Sequence, residues 1–439
     1  MTQKRLFWLL LVGSLASCAQ KSYVFSEKKF AKTLDANARY TNSFHGVCVY
    51  DLGKQAYILN YNADKYFTPA SNTKLYTFYA GLKLLPAKIP ALQYTVRQDS
   101  LIFWGTGDPS LLHPVLKNQL AYQFLKSVPQ KLFFSASNFR DERFGDGWAW
   151  NDYNSSYQPE KSPLPIYGNT AKFKVQAGKV TVMPRTFAAN MVVQPQMAYG
   201  VDRDMATNRF VVNPQKLTSE EEMPFVTSPE LLAKLLTDTL GRPVGVVARS
   251  LPPANQLTTL PGLDADSLYR EMLQVSDNFL AEHILLLCAG QIPEQGFGLN
   301  TRKTIEYVNR NLLKDLTSPP RWVDGSGLSR YNLFTPRSYV ELLRKIYAEV
   351  ATSPQGETRL FGLLPQPGVS GTLANVKVYP PTLYAKTGSL SNNHNLSGYL
   401  VTKSGKRLVF SFQNNHFMLP VAQVREEMGK VLTELYERY

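Results

Sequence analysis

Between residues 46 and 60 apolar side chains alternate with polar ones: Val47 and Val49 precede the turn signal Asp51-Leu52-Gly53-Lys54, and Tyr57 and Leu59 follow it. A period of two broken by turn residues predicts a β-hairpin. Over residues 72–85 the period changes to three and four through Leu75, Phe78, Tyr79 and Leu82, which predicts a helix bracketed by Pro69 and Pro86. Ser71 then falls at a helix N-terminus. From 92 to about 254, short alternating segments are separated by Gly105-Thr106-Gly107-Asp108-Pro109, Gly145-Asp146-Gly147 and Pro163-Leu164-Pro165. This stretch reads as mainly β with one helix over 228–240. Helical spacing resumes over 265–288. A strand is expected at 383–386, and a hairpin over 396–402 and 407–413 about Ser404-Gly405. The last helix, 421–436, carries the stripe Val421, Val424, Met428, Val431, Leu432 and Leu435, which predicts packing on that sheet.

The beginning of the chain has a different character. Lys4 and Arg5 precede an apolar run from Leu6 to Val12, and Leu15-Ala16-Ser17-Cys18 follows. That is the layout of a signal peptide over 1–17, and small residues before a cysteine resemble a bacterial lipobox, in which Cys18 takes the lipid. The run is short for a spanning helix. The expected location is therefore outside the inner membrane, in the periplasm or cell envelope, held to the membrane through an N-terminal lipid.

With 439 residues, 44% of them hydrophobic and 19% charged, the chain suits about two to three globular domains. The net charge of +14 is spread without a dense basic run, so an anionic wall or headgroup is a more natural partner than nucleic acid. Cys48 and Cys288 each sit in an apolar stretch and are expected as buried free thiols.

Three strings carry candidate chemistry: Ser71-Asn72-Thr73-Lys74, Ser276-Asp277-Asn278 and Lys386-Thr387-Gly388. Taken alone, each is ordinary, as a cap serine, a turn and a strand end respectively, and Ser26-Glu27-Lys28-Lys29 is a second S-x-x-K match read as a solvated helix face. In this order, each on a suitable element, they form the S-x-x-K, S-x-N and K-T-G set of serine acyl-transfer enzymes. The physical logic is a hydroxyl that needs a base. Three residues on a helix is nearly one turn, which brings the Lys74 amine beside the Ser71 hydroxyl. Lysine serves as base only when its proton is displaced, and burial together with a second cation, Lys386, would lower its pKa. The five histidines show no H-E-x-x-H spacing and no C-x-x-C pair exists, so no metal and no cofactor are expected.

The surrounding strings include Pro69 to Leu75, Gly105 to Pro109, Gly147-Trp148-Ala149-Trp150, Ser276 to Glu282, Asp324-Gly325-Ser326-Gly327-Leu328-Ser329, Ser370-Gly371-Thr372-Leu373 and Ala385 to Ser389. Through them the chain resembles the D-alanyl-D-alanine carboxypeptidase/endopeptidase family, the class C low-molecular-mass penicillin-binding proteins. The resemblance implies an α/β (α+β) fold with a β-lactamase/transpeptidase-like domain, rebuilt from 20–91 and 256–439 and split by mainly β accessory structure over 92–255. It implies a serine DD-peptidase that opens the D-Ala-D-Ala bond of peptidoglycan stem peptides, with the D-Ala-meso-diaminopimelate cross-link as a further target and β-lactams as covalent inhibitors. In that scheme Ser71 attacks, Lys74 takes its proton, Ser276 relays a proton to the leaving amine, and Asn278 holds Lys74 and the substrate amide. Lys386 and Thr387 hold the terminal carboxylate, Gly388 and Ser389 continue the binding strand, and the backbone N–H groups of Ser71 and Ser389 form the oxyanion hole. No Glu-x-x-Leu-Asn string lies between Ser71 and Ser276, so slow release of bound penicillin is expected. The competing readings are a β-lactamase or esterase on the same fold, and a catalytically weak wall-binding lipoprotein.

Overall fold

A computed structural model describes residues 28, 30–32, 42–176, 178–217, 219–293 and 298–439. The expected signal peptide, Cys18 and most of the second S-x-x-K string lie outside the described residues. The first hairpin is β1 (Phe44–Asp51) and β2 (Ala56–Tyr61), followed by helix α1 (Lys74–Leu84). Then come β3 (Lys88–Arg97), β4 (Ser100–Gly105), helix α2 (Leu120–Ser127) and β5 (Lys131–Ser135). Short strands follow: β6 (Thr170–Gln176), β7 (Lys179–Met183), β8 (Met191–Val193), β9 (Val201–Arg203), β10 (Phe210–Val212) and β11 (Glu221–Pro224). Helix α3 (Pro229–Leu240), β12 (Val244–Val246) and β13 (Thr258–Asp264) lead into helices α4 (Ala265–Gln274), α5 (Asn278–Ala289), α6 (Thr301–Asn311), α7 (Pro336–Val350) and α8 (Pro354–Leu363). The chain closes with β14 (Leu383–Leu390), β15 (Asn393–Val401), β16 (Arg407–Asn415) and helix α9 (Val421–Arg438).

Two five-stranded sheets dominate. The first, in order β14-β15-β16-β1-β2, is antiparallel and joins the two ends of the described chain, with Phe44 opposite Asn415 and Asp51 opposite Leu408. Successive side chains of a strand face opposite ways, and β1 uses both faces. Val47 and Val49 join a core with Leu396, Phe410 and Phe412 under the α9 residues Val424, Met428, Leu432 and Leu435. Cys48 and Tyr50 join the larger core of α1, α4, α5 and α7 on the other side. The terminal helix thus packs on the sheet as its stripe predicts, and a sheet covered on both faces explains why β1 is buried almost throughout.

The second sheet runs β12-β5-β4-β3-β13, with smaller sheets β11-β6-β7 and β8-β10-β9 beside it. A separate core fills it, from Ala91 through Leu132, Phe173 and Leu236 to Val244. Among the described residues this region holds two α-helices, against the one expected. Residues 120–127 form α2, whose Ala121 and Leu125 are buried, a span too short to register as a periodic pattern. Strands β3 and β13 pair with each other and open and close this sheet, so the chain leaves and re-enters the helical core at neighbouring points.

Candidate active site

The serine of the first string does not sit on an α-helix. Ala70–Thr73 form one 3₁₀ turn, entered through Ala70 at φ +50°, and α1 begins only at Lys74. The tighter turn still places i and i+3 on one side. Lys74 is completely buried, and its Nζ donates to Ser71 Oγ at 2.9 Å, Asn278 Oδ1 at 2.6 Å and the Ser326 carbonyl at 2.7 Å. Three acceptors match the three protons of an ammonium. When the amine is neutral, the Asn278 and Ser326 oxygens can keep its two protons and leave its lone pair facing the Ser71 hydroxyl.

The helical spacing over 265–288 is interrupted where the second string lies. α4 ends at Gln274, Ser276 takes φ +65°, and Asp277 caps α5 by accepting the Leu280 N–H at 2.8 Å. A cap residue that competes for backbone donors starts a new helix instead of continuing the old one. Asn278 is therefore the first residue of α5. Its Oδ1 meets Lys74, and its Nδ2 donates to the Tyr157 carbonyl at 3.0 Å, an acceptor in the stretch between β5 and β6.

The third string lies on the edge strand β14. Lys386 is fully buried, and its Nζ donates to Ser276 Oγ and to the Thr387 carbonyl, both at 2.8 Å. The Thr387 and Thr372 hydroxyls pair at 2.8 Å. Gly388 has no room for a side chain, because a Cβ there would lie 2.5 Å from the Pro69 carbonyl oxygen and 2.8 Å from the Asn72 nitrogen. That close approach, with the Asn72 amide donating to the Lys386 carbonyl at 3.0 Å, presses β14 against the turn that carries Ser71. Ser389 follows, exposed, with its hydroxyl 2.8 Å from His394 Nδ1.

Burial holds the Lys74 amine down at about 8, while Asp277, Asp324 and Glu282 pull it the other way. Of the two expected causes, burial is the one at work: desolvation displaces the Lys74 proton, and the charge of Lys386 is not among the causes. Lys386 is itself held well below its ordinary value, first by burial and then by the Lys74 charge. Both cations are taken out of water, so neither retains its proton as a surface lysine does.

Several contributors were given no role from the sequence. The loop 324–329 passes behind Ser71, and a Cβ on Gly327, at φ +86°, would lie 1.9 Å from the Ala70 oxygen. Asp324 organises this loop by accepting from Gly327 N (2.9 Å), Ser329 N (2.7 Å), Asn332 Nδ2 (2.6 Å) and Trp148 Nε1 (2.8 Å). The buried Glu282 carboxylate accepts the Gly325 and Ser326 N–H groups at 3.1 and 2.8 Å, and burial pushes its pKa up to about 7. These bonds aim the Ser326 carbonyl at Lys74. The strings Asp324 to Ser329 and Ser276 to Glu282 were visible, but a main-chain acceptor has no side-chain signature.

In front of this cluster lies a cleft of about 590 Å³ lined by Ser71, Asn278, Ser389, Tyr157, Asp152 and Arg330, among others. Ser71, Asn278 and Ser389 face the cleft, whereas Lys74 and Lys386 are sealed behind it. Among the described residues, no group of three or more His, Cys, Asp or Glu side chains is placed to hold a metal ion.

The sequence pattern of the family described as D-Ala-D-Ala carboxypeptidase 3 (S13) matches residues 27–435. The chain belongs to this family. An S13 chain is a serine-type D-Ala-D-Ala carboxypeptidase, which is the enzyme class that the resemblance implied. It is similar to the D-alanyl-D-alanine carboxypeptidase DacB of Haemophilus influenzae, 23% identical over 408 residues that cover 83% of this chain and 84% of the relative. It is also similar to the D-alanyl-D-alanine carboxypeptidase of Actinomadura sp. (strain R39), 25% identical over 422 residues, covering 84% and 77% of the two chains. Among solved structures, penicillin binding protein 4 from H. influenzae superposes with a TM-score of 0.72 at 22% identity, covering 94% of this chain and all of that one. That likeness establishes the mixed helix-and-sheet fold expected from the sequence.

Proposed function

We propose that this S13 chain opens the D-Ala-D-Ala bond of peptidoglycan stem peptides through an acyl-enzyme on Ser71. The observation that carries the reading is the 2.9 Å contact between Ser71 Oγ and an amine that burial holds at about 8. Ser71 Oγ attacks the carbonyl carbon between the two D-alanines, and its proton passes to Lys74 Nζ. The oxyanion is held by the backbone N–H groups of Ser71 and Ser389. As the C–N bond breaks, the proton on Lys74 reaches the departing amine through the Ser276 hydroxyl, which the Lys386 Nζ orients. Asn278 fixes Lys74 and the substrate amide. The terminal carboxylate is held by the Thr387 and Ser389 hydroxyls, and its negative charge favours a proton on the Lys386 amine behind them, with Gly388 allowing the strand to approach. Water then attacks the ester with Lys74 again as base.

Penicillin acylates the same serine, and the family relative with a bound β-lactam supports this: a structure of H. influenzae penicillin binding protein 4 is complexed with a novel β-lactam. Cross-link cleavage needs the same attack with a different amine beyond the bond. The chain divides into a transpeptidase-like domain, 20–91 and 256–439, and an inserted accessory region, 92–255; the separate core from Ala91 to Val244 supports that division. Cys18 carries a lipid after removal of residues 1–17, which places the enzyme in the periplasm or cell envelope. Among the described residues no helix is long and apolar enough to cross a membrane.

Mass spectrometry of the intact protein after exposure to labelled penicillin tests the reading. The expected product carries one slowly released label on Ser71 and a lipid on Cys18. No label on Ser71, or rapid release of hydrolysed penicillin, would overturn it in favour of a non-catalytic lipoprotein or a β-lactamase respectively.

A further inference from the structure

Ser389 and His394 face each other across the β14–β15 pair, and Arg425 of α9 reaches the far side of the same imidazole. The ring is completely buried, with Nδ1 2.8 Å from Ser389 Oγ and Nε2 3.4 Å from Arg425 Nε. Burial and the Arg425 charge both oppose an imidazolium and push the ring down to about 3, so His394 is neutral at physiological pH.

The tautomer follows from hydrogen-bond chemistry. A guanidinium only donates, so Nε2 must accept from Arg425, and the single ring proton is on Nδ1. Nδ1–H then donates to Ser389 Oγ. A hydroxyl that accepts from the ring turns its own proton elsewhere, and Ser389 is exposed and lines the cleft. With the opposite tautomer the hydroxyl would give its proton to the ring and offer the cleft only lone pairs, which repel a carboxylate.

We propose that His394, locked as the Nδ1–H tautomer by Arg425, is a positioning residue that makes the Ser389 hydroxyl a donor toward an anionic oxygen of the bound substrate. The inference rests on the reading of this cleft as the stem-peptide site. It links the outer helix α9, behind the sheet, to recognition of the substrate's terminal carboxylate in front of it. His394, Arg425 and Ser389 come from three elements, and no motif spacing connects them.

Steady-state kinetics of the full-length protein test the relay, using a D-Ala-D-Ala peptide and the same peptide ending in a carboxamide. His394→Phe is expected to raise KM for the acid peptide about tenfold while kcat changes less than about threefold, as for loss of a binding hydrogen bond to a charged group. Ser389→Ala should match it, and Ser389→Ala combined with His394→Phe should be no worse than Ser389→Ala alone. His394→Gln, whose amide can donate and accept at once, should restore KM to within about threefold of the unaltered enzyme. For the carboxamide peptide all these KM values should move less than about twofold. An unchanged KM in His394→Phe, losses that add in the double variant, or equal losses on both peptides would overturn the relay. Should His394→Phe fail to fold, Arg425→Met on the half-buried outer helix still decides: about a threefold rise in KM for the acid peptide supports the relay, and no change overturns it. Penicillin labelling of Ser71 in the unaltered enzyme separates the two readings. Its retention beside a silent His394→Phe removes the relay alone; its absence removes the active-site reading and the relay together.

Discussion

Asn278 Nδ2 donates to the main-chain carbonyl of Tyr157 at 3.0 Å, although 121 residues separate them. The amide is thereby fixed with its oxygen on Lys74, since a flipped side chain would set the Tyr157 carbonyl against another oxygen and the ammonium against an NH₂. The stretch between β5 and β6 therefore reaches the proposed base through a hydrogen bond from the Asn278 side chain to a main-chain carbonyl. Asn278→Asp would put a carboxylate where that oxygen lies, favour the charged lysine, and move the midpoint of the acylation–pH curve upward by about one pH unit. Stopped-flow penicillin acylation from pH 6 to 10 measures this; an unmoved midpoint would separate Asn278 from the state of Lys74.

In the proposed mechanism the base is the neutral Lys74 amine, and that sets the sign of the pH dependence for the unaltered enzyme. With Lys74 at about 8, acylation should climb with pH through the neutral range and level off above that value. Lys74→Arg keeps the charge but offers no lone pair, and should slow acylation about a thousandfold at every pH in that range. A bell centred below pH 7 would point to a carboxylate base.

Gly327→Ala should destabilise by about 3 kcal/mol and abolish labelling of Ser71, because the added carbon meets the Ala70 oxygen at 1.9 Å. Gly405→Ala is the control, since φ is +83° there but nothing lies within 4 Å. It should cost about 1 kcal/mol from backbone conformation and leave labelling intact. Urea unfolding with labelling on the same samples distinguishes crowding at the nucleophile from conformational strain.

Lys161 is 2% exposed and pairs with Asp141 at 3.0 Å, while Asp141 also accepts from Thr301 N and Oγ1 at the start of α6. Removing the cation leaves a buried carboxylate uncompensated, so Lys161→Ala should cost about 3–5 kcal/mol by chemical denaturation. Lys131→Ala, which loses a solvent-exposed pair with Asp99, should leave the midpoint where it was. Equal midpoints for the two variants would show that water reaches the Lys161 pair.

Legibility in the sequence followed the strength of local pattern. The stripe from Val424 to Leu435 announced α9 because a long two-sided helix repeats its signal, while α2 has only Ala121 and Leu125 buried in eight residues. The break at Ser276 was hidden because apolar spacing resumes on both sides of it, and only the cap at Asp277 marks the boundary. Ser71, Lys74, Asn278 and Lys386, which the structure brings together, were singled out through side-chain chemistry at fixed spacing. The Ser326 and Tyr157 carbonyls were not, since any residue carries that atom and its direction is set by tertiary contacts such as those of Glu282 and Asp324.

The pairing of β1 with β16 has a consequence for the nascent protein. During synthesis the hydroxyl at 71 emerges more than three hundred residues before the lysine at 386 and the strand that backs it. In the proposed mechanism an unfinished or C-terminally clipped chain thus holds an unarmed serine, since the closing strands complete both the sheet and the chamber that strips the amine of water. The enzyme's readiness to cut is tied to completion of its own chain.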